Sequence, residues 1–124
     1  MEGHTLKIES TEFGSITIEG KTYQFDVVIR LSGEVIKRKK KLSKMYYGTS
    51  HKVSKDEAKF VYEKGCNKLI LGTGQYDNVR LSQEAADFLE RKGCKVLAGP
   101  TPDAIASYNT SQAKKKIGLF HVTC

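Results

Sequence analysis

A chain of 124 residues, 39% hydrophobic and 28% charged, has the size and balance of one globular domain rather than a disordered segment. Its three cysteines are odd in number, far apart and without a Cys-x-x-Cys pair, which argues against a disulfide scaffold or a zinc site and for a reducing compartment. No apolar run approaches the ~20 residues that span a bilayer, and no signal-peptide core opens the chain, so a soluble, cytoplasmic protein is expected, with no membrane partner. The net charge of +7 favours polyanions but also serves solubility.

The first forty residues read as strands. Ser15-Ile-Thr-Ile-Glu alternates polar and apolar, Gly20-Lys21 makes a turn, and Thr22-Tyr-Gln-Phe-Asp-Val-Val-Ile-Arg resumes the pattern with Tyr23, Phe25, Val27 and Ile29 on one face. Ser32-Gly33 turns the chain again before Glu34-Val-Ile-Lys, giving a meander of hairpins. Residues 37–53 carry Lys37, Arg38, Lys39, Lys40 and Lys41, then Met45-Tyr-Tyr-Gly-Thr-Ser, and are expected to form a long connection.

From Ser54 the period becomes helical. Ser54 followed by Glu57 is a capping box, Ala58, Val61 and Tyr62 share a face, and Gly65 ends the helix. Strand Leu69-Ile-Leu follows. A second unit repeats the plan with Ser82 as cap, Ala85, Phe88 and Leu89 inside, Gly93 as terminator and strand Lys95-Val-Leu. The stretches from Ser54 to Cys66 and from Ser82 to Cys94 have equal length and both end Lys-Gly-Cys, an internal echo that places both cysteines in the core. Thr101-Pro102 opens a third helix through Ala104, Ile105 and Tyr108, and a final strand covers 117–122. Hairpins followed by alternating α and β imply an α/β fold with a partly parallel sheet.

Glycines directly after an apolar strand let a ligand approach the backbone at the carboxyl end of a sheet. Gly72, Thr73, Gly74 and Gln75 are therefore the first candidate pocket. It is not a dinucleotide loop: the third glycine of that motif is replaced by Asp77, the helix cap Ser82 comes too late, and no Walker lysine-serine pair follows. No cofactor or metal is expected. The opening of the helix at Thr101 is a second anion-compatible point. His121 and Cys124 are separated by an odd interval, about 10 Å along a strand, so they point to opposite faces and make neither a nucleophile pair nor a metal pair. The basic run 37–41 reads first as a solvated edge, and as a nucleic-acid contact only as an alternative, with Tyr46 and Tyr47 available for stacking.

Phe13-Gly-Ser-Ile-Thr-Ile-Glu-Gly-Lys-Thr-Tyr, Leu71-Gly-Thr-Gly-Gln, Thr101-Pro-Asp-Ala-Ile-Ala-Ser-Tyr-Asn and the terminal His-Val-Thr-Cys together resemble the Mth-type domain family of unknown function. That family includes small archaeal and bacterial proteins, an adipogenesis-associated protein and a mitochondrial complex I assembly factor. The resemblance runs from about Phe13 to Cys124. It implies a three-layer fold around a central mixed sheet, with a last strand antiparallel to its neighbours and an extra N-terminal hairpin layer. It also implies a pocket drawn from Gly72, Thr73, Gly74, Gln75, Thr101, Asn109, His121 and Cys124. Where many relatives carry tryptophans this chain has Lys37 to Lys41, and the lysine-rich composition looks archaeal. The expected role is a non-enzymatic binding or assembly domain holding a small polar or anionic ligand or a partner's segment. The alternatives are an enzyme using His121 and Thr101, or a nucleic-acid accessory protein. Gly74→Val is the expected probe of the pocket, removing binding while leaving the fold intact.

Overall fold

The computed structural model describes residues 6–123, so His4 and Cys124 lie outside the described residues. A three-stranded antiparallel meander comes first: β1 (Ile8–Glu12), β2 (Ser15–Ile18) and β3 (Lys21–Tyr23). Ile18 pairs with Lys21, leaving Glu19 and Gly20 as a two-residue turn with φ of 50° and 81°, the doubly positive geometry whose twist suits a hairpin. The chain then crosses to another sheet as β4 (Val27–Ile29), paired antiparallel with β5 (Val35–Lys37). Tyr23, Phe25, Val27 and Ile29 do share one apolar cluster. The single strand expected over 22–30 is nevertheless interrupted around Asp26, which lies between the two ladders.

The connection expected over 37–53 holds a helix, α1 (Lys41–Tyr47), and a short strand, β6 (Lys52–Val53). Only Ser43 of α1 is buried, so the helix has no apolar stripe for periodicity to detect. Gly48, at φ 70°, ends it by donating to the Lys44 carbonyl. The rest alternates: α2 (Lys55–Val61), β7 (Lys68–Gly72), β8 (Arg80–Leu81), α3 (Gln83–Arg91), β9 (Lys95–Gly99), α4 (Thr101–Thr110) and β10 (Lys116–Phe120).

The main sheet has the order β5-β4-β10-β7-β9. The last strand, β10, is antiparallel to β4, as expected, and parallel to β7, so it opposes one neighbour rather than both. Its entry through α4 is a crossover connection, and a crossover returns the chain in the direction of the strand it joins. Leu69, Leu71, Ile117 and Leu119 face α2 and α3, whereas Ile70 and Phe120 pack with Ala104, Ile105 and Tyr108 of α4 and with Ile8, Ile16 and Ile18 of the small sheet. The molecule is thus an α/β three-layer fold in which the early hairpins both extend the main sheet and add a layer.

The internal echo is structural. β6 and β8 pair in parallel, Lys52 beside Arg80 and Val53 beside Leu81. The caps are equivalent, Ser54 accepting from the Glu57 N–H and Ser82 from the Ala85 N–H, each at 3.0 Å. The Cys94 N–H closes the second unit on the Leu89 carbonyl at 2.9 Å, as a left-handed glycine terminus requires. Cys66 and Cys94 meet in the core with their sulfurs 3.5 Å apart. Burial, reinforced by that contact, pushes the Cys94 thiol up to about 12, the behaviour of a packing residue and not of a nucleophile.

Candidate functional site

The parallel strands β10, β7 and β9 finish in one row, Phe120 beside Gly72 beside Gly99. His121, Thr73 and Pro100 follow immediately, so the carboxyl edge of the sheet is where side chains from separate segments converge. His121 donates its backbone N–H to the Gly72 carbonyl, and Thr73 donates to Gly99. Gly74 donates to Thr101 Oγ1 at 2.8 Å, the Thr101 N–H returns to the Gly74 carbonyl, and Thr101 Oγ1 donates to the His121 carbonyl at 2.7 Å. Gly72, Thr73, Gly74, Thr101 and His121 are therefore brought together, tied directly to each other by these hydrogen bonds. Thr101 is fully buried and its hydroxyl is already committed, so it offers no nucleophile.

Behind this edge lies a buried charged centre that the sequence does not announce. Asp26, Arg38, Glu57 and His121 are each at most 3% exposed. Arg38 donates to Glu57 through Nε at 2.5 Å and through Nη2 at 3.1 Å, to Asp26 through Nη1 at 3.0 Å, and to the Ser50 carbonyl at 2.7 Å. Ser43 donates its hydroxyl to Glu57 and accepts from the Ser54 N–H. Asp26 takes His121 Nδ1 at 2.6 Å on one oxygen, and the N–H groups of Val122 and Thr123 with the Thr123 hydroxyl on the other. Lys40 reaches Thr123 Oγ1 at 2.5 Å and stands 3.6 Å from Asp26.

Burial alone would raise the Asp26 pKa. The hydrogen bonds from His121 and the Val122 N–H, with the positive field of Arg38, outweigh it and hold the carboxyl well below the ordinary carboxylate range. Burial likewise opposes the Arg38 charge, but Glu57 and Asp26 more than compensate and raise its pKa. An ionised Asp26 only accepts, so Nδ1 of His121 carries the proton. The other ring nitrogen then lies towards Gly74, since a Cβ built there would be 2.7 Å from His121 Cδ2 and 3.6 Å from Nε2. Nε2 has no hydrogen bond within the described residues and is not sealed from solvent, while the His51 ring meets His121 edge-on at 5.5 Å. That one atom is left able to accept a hydrogen bond. Among the described residues no group of three or more His, Cys, Asp or Glu is placed to hold a metal ion.

A carboxylate ionised more easily in the folded state stabilises that state fully above its unfolded pKa, and the contribution is lost as the pH falls towards the folded value. The melting temperature of the wild type is therefore expected to fall towards that of Asp26→Asn below about pH 4, and to exceed it throughout the neutral range. Thermal scans of both proteins from pH 3 to 7 measure this, and a gap independent of pH would contradict it.

Other anticipated site residues lie elsewhere. Asn109 clamps β1, accepting from the Ile8 N–H at 2.9 Å and donating to the Ile8 carbonyl at 2.8 Å. Gln75 points to Thr11 Oγ1 at 3.2 Å. The basic run does not form one surface: Arg38 is internal, Lys40 enters the charged centre, Lys37 lies over Phe25 and Lys39 over Phe60, and Lys41 starts α1. Glu57 does not close the capping box, because its carboxylate serves Arg38. His51 is half-buried against His121. Asp26 was hidden by its position inside an alternating run, where only its charge among buried neighbours signals a role.

Two hollows lie along the outer strand. Thr73, Asp77, Val79, Arg80, Leu81, Ala98, Gly99 and Pro100, with Leu71, line a groove of about 420 Å³ beside the glycine loop. A second of about 440 Å³, also lined by Leu81, continues past Ala86, Glu90, Cys94, Lys95 and Val96. Both follow β9, the terminal strand of the sheet. Lys95 donates inward to Asn67, and Gly99 accepts inward from Thr73. Alternate residues face the other way, so Val96 and Ala98 present their backbone groups along the open edge.

Residues 8–119 match a family described as "Protein of unknown function (DUF498/DUF598)". Among solved structures, the chain is similar to the conserved hypothetical protein PH1505 from Pyrococcus horikoshii OT3, with 34% identity, 95% of this chain and 99% of that one covered, and a TM-score of 0.87. It is also similar to MT938, with 30% identity, coverage of 96% and 99%, and a TM-score of 0.78. A Mth938-like domain from Bordetella pertussis shares the fold at 17% identity, covering 98% and 92%, with a TM-score of 0.62. Among the described residues no helix is long and apolar enough to cross a membrane.

Proposed function

The chain belongs to the DUF498/DUF598 family, and from its geometry we propose that it is a cytoplasmic, non-enzymatic binding or assembly domain that takes an extended segment of a protein partner along β9. The observation that carries this reading is the edge strand itself. Its outward Val96 and Ala98 backbone groups border a groove lined by Leu71, Thr73, Asp77, Val79 and Arg80. An added strand gains main-chain hydrogen bonds from such an edge, and alternate side chains seat in the adjoining hollows. Leu97 and Ala98 are exposed, so among the described residues that part of the edge is neither covered by a helix nor blocked by proline, two of the protections of an unpaired strand. Asp77 and Arg80 at the groove mouth, paired at 3.2 Å, supply polar selectivity. The charged centre behind the glycine loop serves as the support that fixes the carboxyl edge of β7 and β9.

Peptides selected from a random display library against the wild-type domain test this reading when titrated against Ala98→Pro. Proline removes an outward donor and is tolerated on an edge strand, so the melting temperature is expected to hold within a few degrees while affinity falls at least about tenfold. Equal affinity for both proteins, or no enrichment of binders by the wild type, would remove the proposal.

A further inference from the structure

The opposite end of the same strands carries a different surface. The three parallel strands begin in register on lysine: Lys116 of β10 pairs with Lys68 of β7, which pairs with Lys95 of β9. Paired residues on neighbouring strands point to one face about 4.8 Å apart, so the three lysines leave the sheet from a row of backbone positions roughly 10 Å long. The turns leading into these strands add Lys64, Lys92, Lys114 and Lys115, all exposed. Lys64 and Lys92 come from the two Lys-Gly-Cys turns, so the internal repeat doubles this feature.

Neutralisation within the protein is slight. None of these seven lysines is in an ion pair among the described residues. Glu63, next to Lys64, is turned to Arg30 at 3.4 Å and to the Leu31 N–H. Glu90 is exposed and shares the lining of the second groove with Lys95. Lys116 is drawn to the Tyr108 and Ser111 carbonyls at the end of α4, and Lys92 lies over Tyr62 and Phe88. The remaining five ammonium groups have no such tether. Like charges side by side on a sheet repel, and burial together with the nearby Lys68 lowers the Lys116 pKa. The seven charges equal the formal net charge of +7 for the whole chain.

We propose that this lysine end binds the phosphate backbone of nucleic acid without reading sequence. The only large exposed apolar side chain on these strands is Leu97, too little to anchor a membrane-surface domain, which needs an apolar face beside its charges. Lysine supplies point charges that suit phosphates but not the bidentate reading of bases, and Arg30, the arginine paired with Glu63, is held in that ion pair. The surface is separate from the sheet end that holds His121.

Fluorescence anisotropy with a labelled 20-bp mixed-sequence DNA duplex, titrated from low to moderate salt, tests the proposal. Two intact proteins are compared with the wild type: Lys64→Gln/Lys68→Gln/Lys95→Gln/Lys115→Gln, and a control of equal charge, Lys21→Gln/Lys41→Gln/Lys44→Gln/Lys55→Gln. The wild type is expected to bind with Kd in the range of about 1–100 µM near physiological salt, with a log–log salt slope of roughly −3 to −5. The first variant loses at least about tenfold in affinity and about three units of slope, while the control loses far less. Equal weakening by both variants would reduce the effect to net charge and overturn the proposal. So would binding to phosphatidylserine vesicles with none to duplex, or no binding to either.

Discussion

Replacing Arg38 with methionine is expected to destabilise the domain by about 3–5 kcal/mol, measured by urea unfolding at neutral pH. The guanidinium is the cation shared by Glu57 and Asp26 and also satisfies the Ser50 carbonyl. Asp26 would keep His121 and the partly exposed Lys40. Glu57, completely buried, would keep only the Ser43 hydroxyl beside its negative charge. A buried charge that loses its partner bears the full cost of leaving water, whereas a pair replaced on both sides by apolar groups of similar volume is often close to neutral. Arg38→Met/Glu57→Met should therefore recover a large part of the loss, and the coupling energy should exceed about 1 kcal/mol. If the single substitution costs under about 1 kcal/mol, the centre is not the support described here.

The second large effect is at Gly74. Its φ is +103°, a region L side chains rarely adopt, and a Cβ there would lie 2.7 Å from His121 Cδ2. The backbone cannot swing away, because its N–H and carbonyl are both bound to Thr101. Strain of this kind costs about 1–3 kcal/mol, and forcing extra volume into a packed site a similar amount. Gly74→Val is thus expected to lose about 3 kcal/mol or more, so it is not the fold-neutral probe that the sequence suggests. Gly33→Ala separates the two causes, since φ there is +92° with nothing within 4 Å of the added carbon. It should show the strain alone. Equal losses at the two glycines would assign no role to the His121 contact.

Much of the architecture is legible from local chemistry. The serine caps and the Lys-Gly-Cys turns depend on residues a few positions apart: both caps are where the spacing places them and Gly93 closes α3 as expected, whereas α2 already ends at Val61, before Gly65, and the first hairpin turn is Glu19-Gly20 rather than Gly20-Lys21, with Lys21 in β3. Membership of the family also follows from four motifs in order. The charged centre is illegible for a physical reason: Asp26, Arg38, Ser43, Glu57 and His121 come from segments up to 95 residues apart, and each has an ordinary local reading. Arg38 hides in a basic run, and Glu57 looks like the second half of a cap. The convergence of the glycine loop with Thr101 was foreseeable from strand order, but its outcome was not. Whether two segments frame a hollow or bond to each other depends on their side chains, and here the Thr101 hydroxyl ties them together. The lysine row depends on register, which no single strand reveals.

On the proposed reading a charged centre holds the carboxyl edge of the sheet and the edge strand β9 does the binding. Two-dimensional NMR of the ¹⁵N-labelled domain, titrated with a selected peptide, tests that division directly. The largest amide shifts are predicted at Val96 and Ala98, with slowed hydrogen exchange at both and further shifts at Asp77 and Arg80. Shifts concentrated instead at His51, Gly74 and His121, with β9 unmoved, would contradict it.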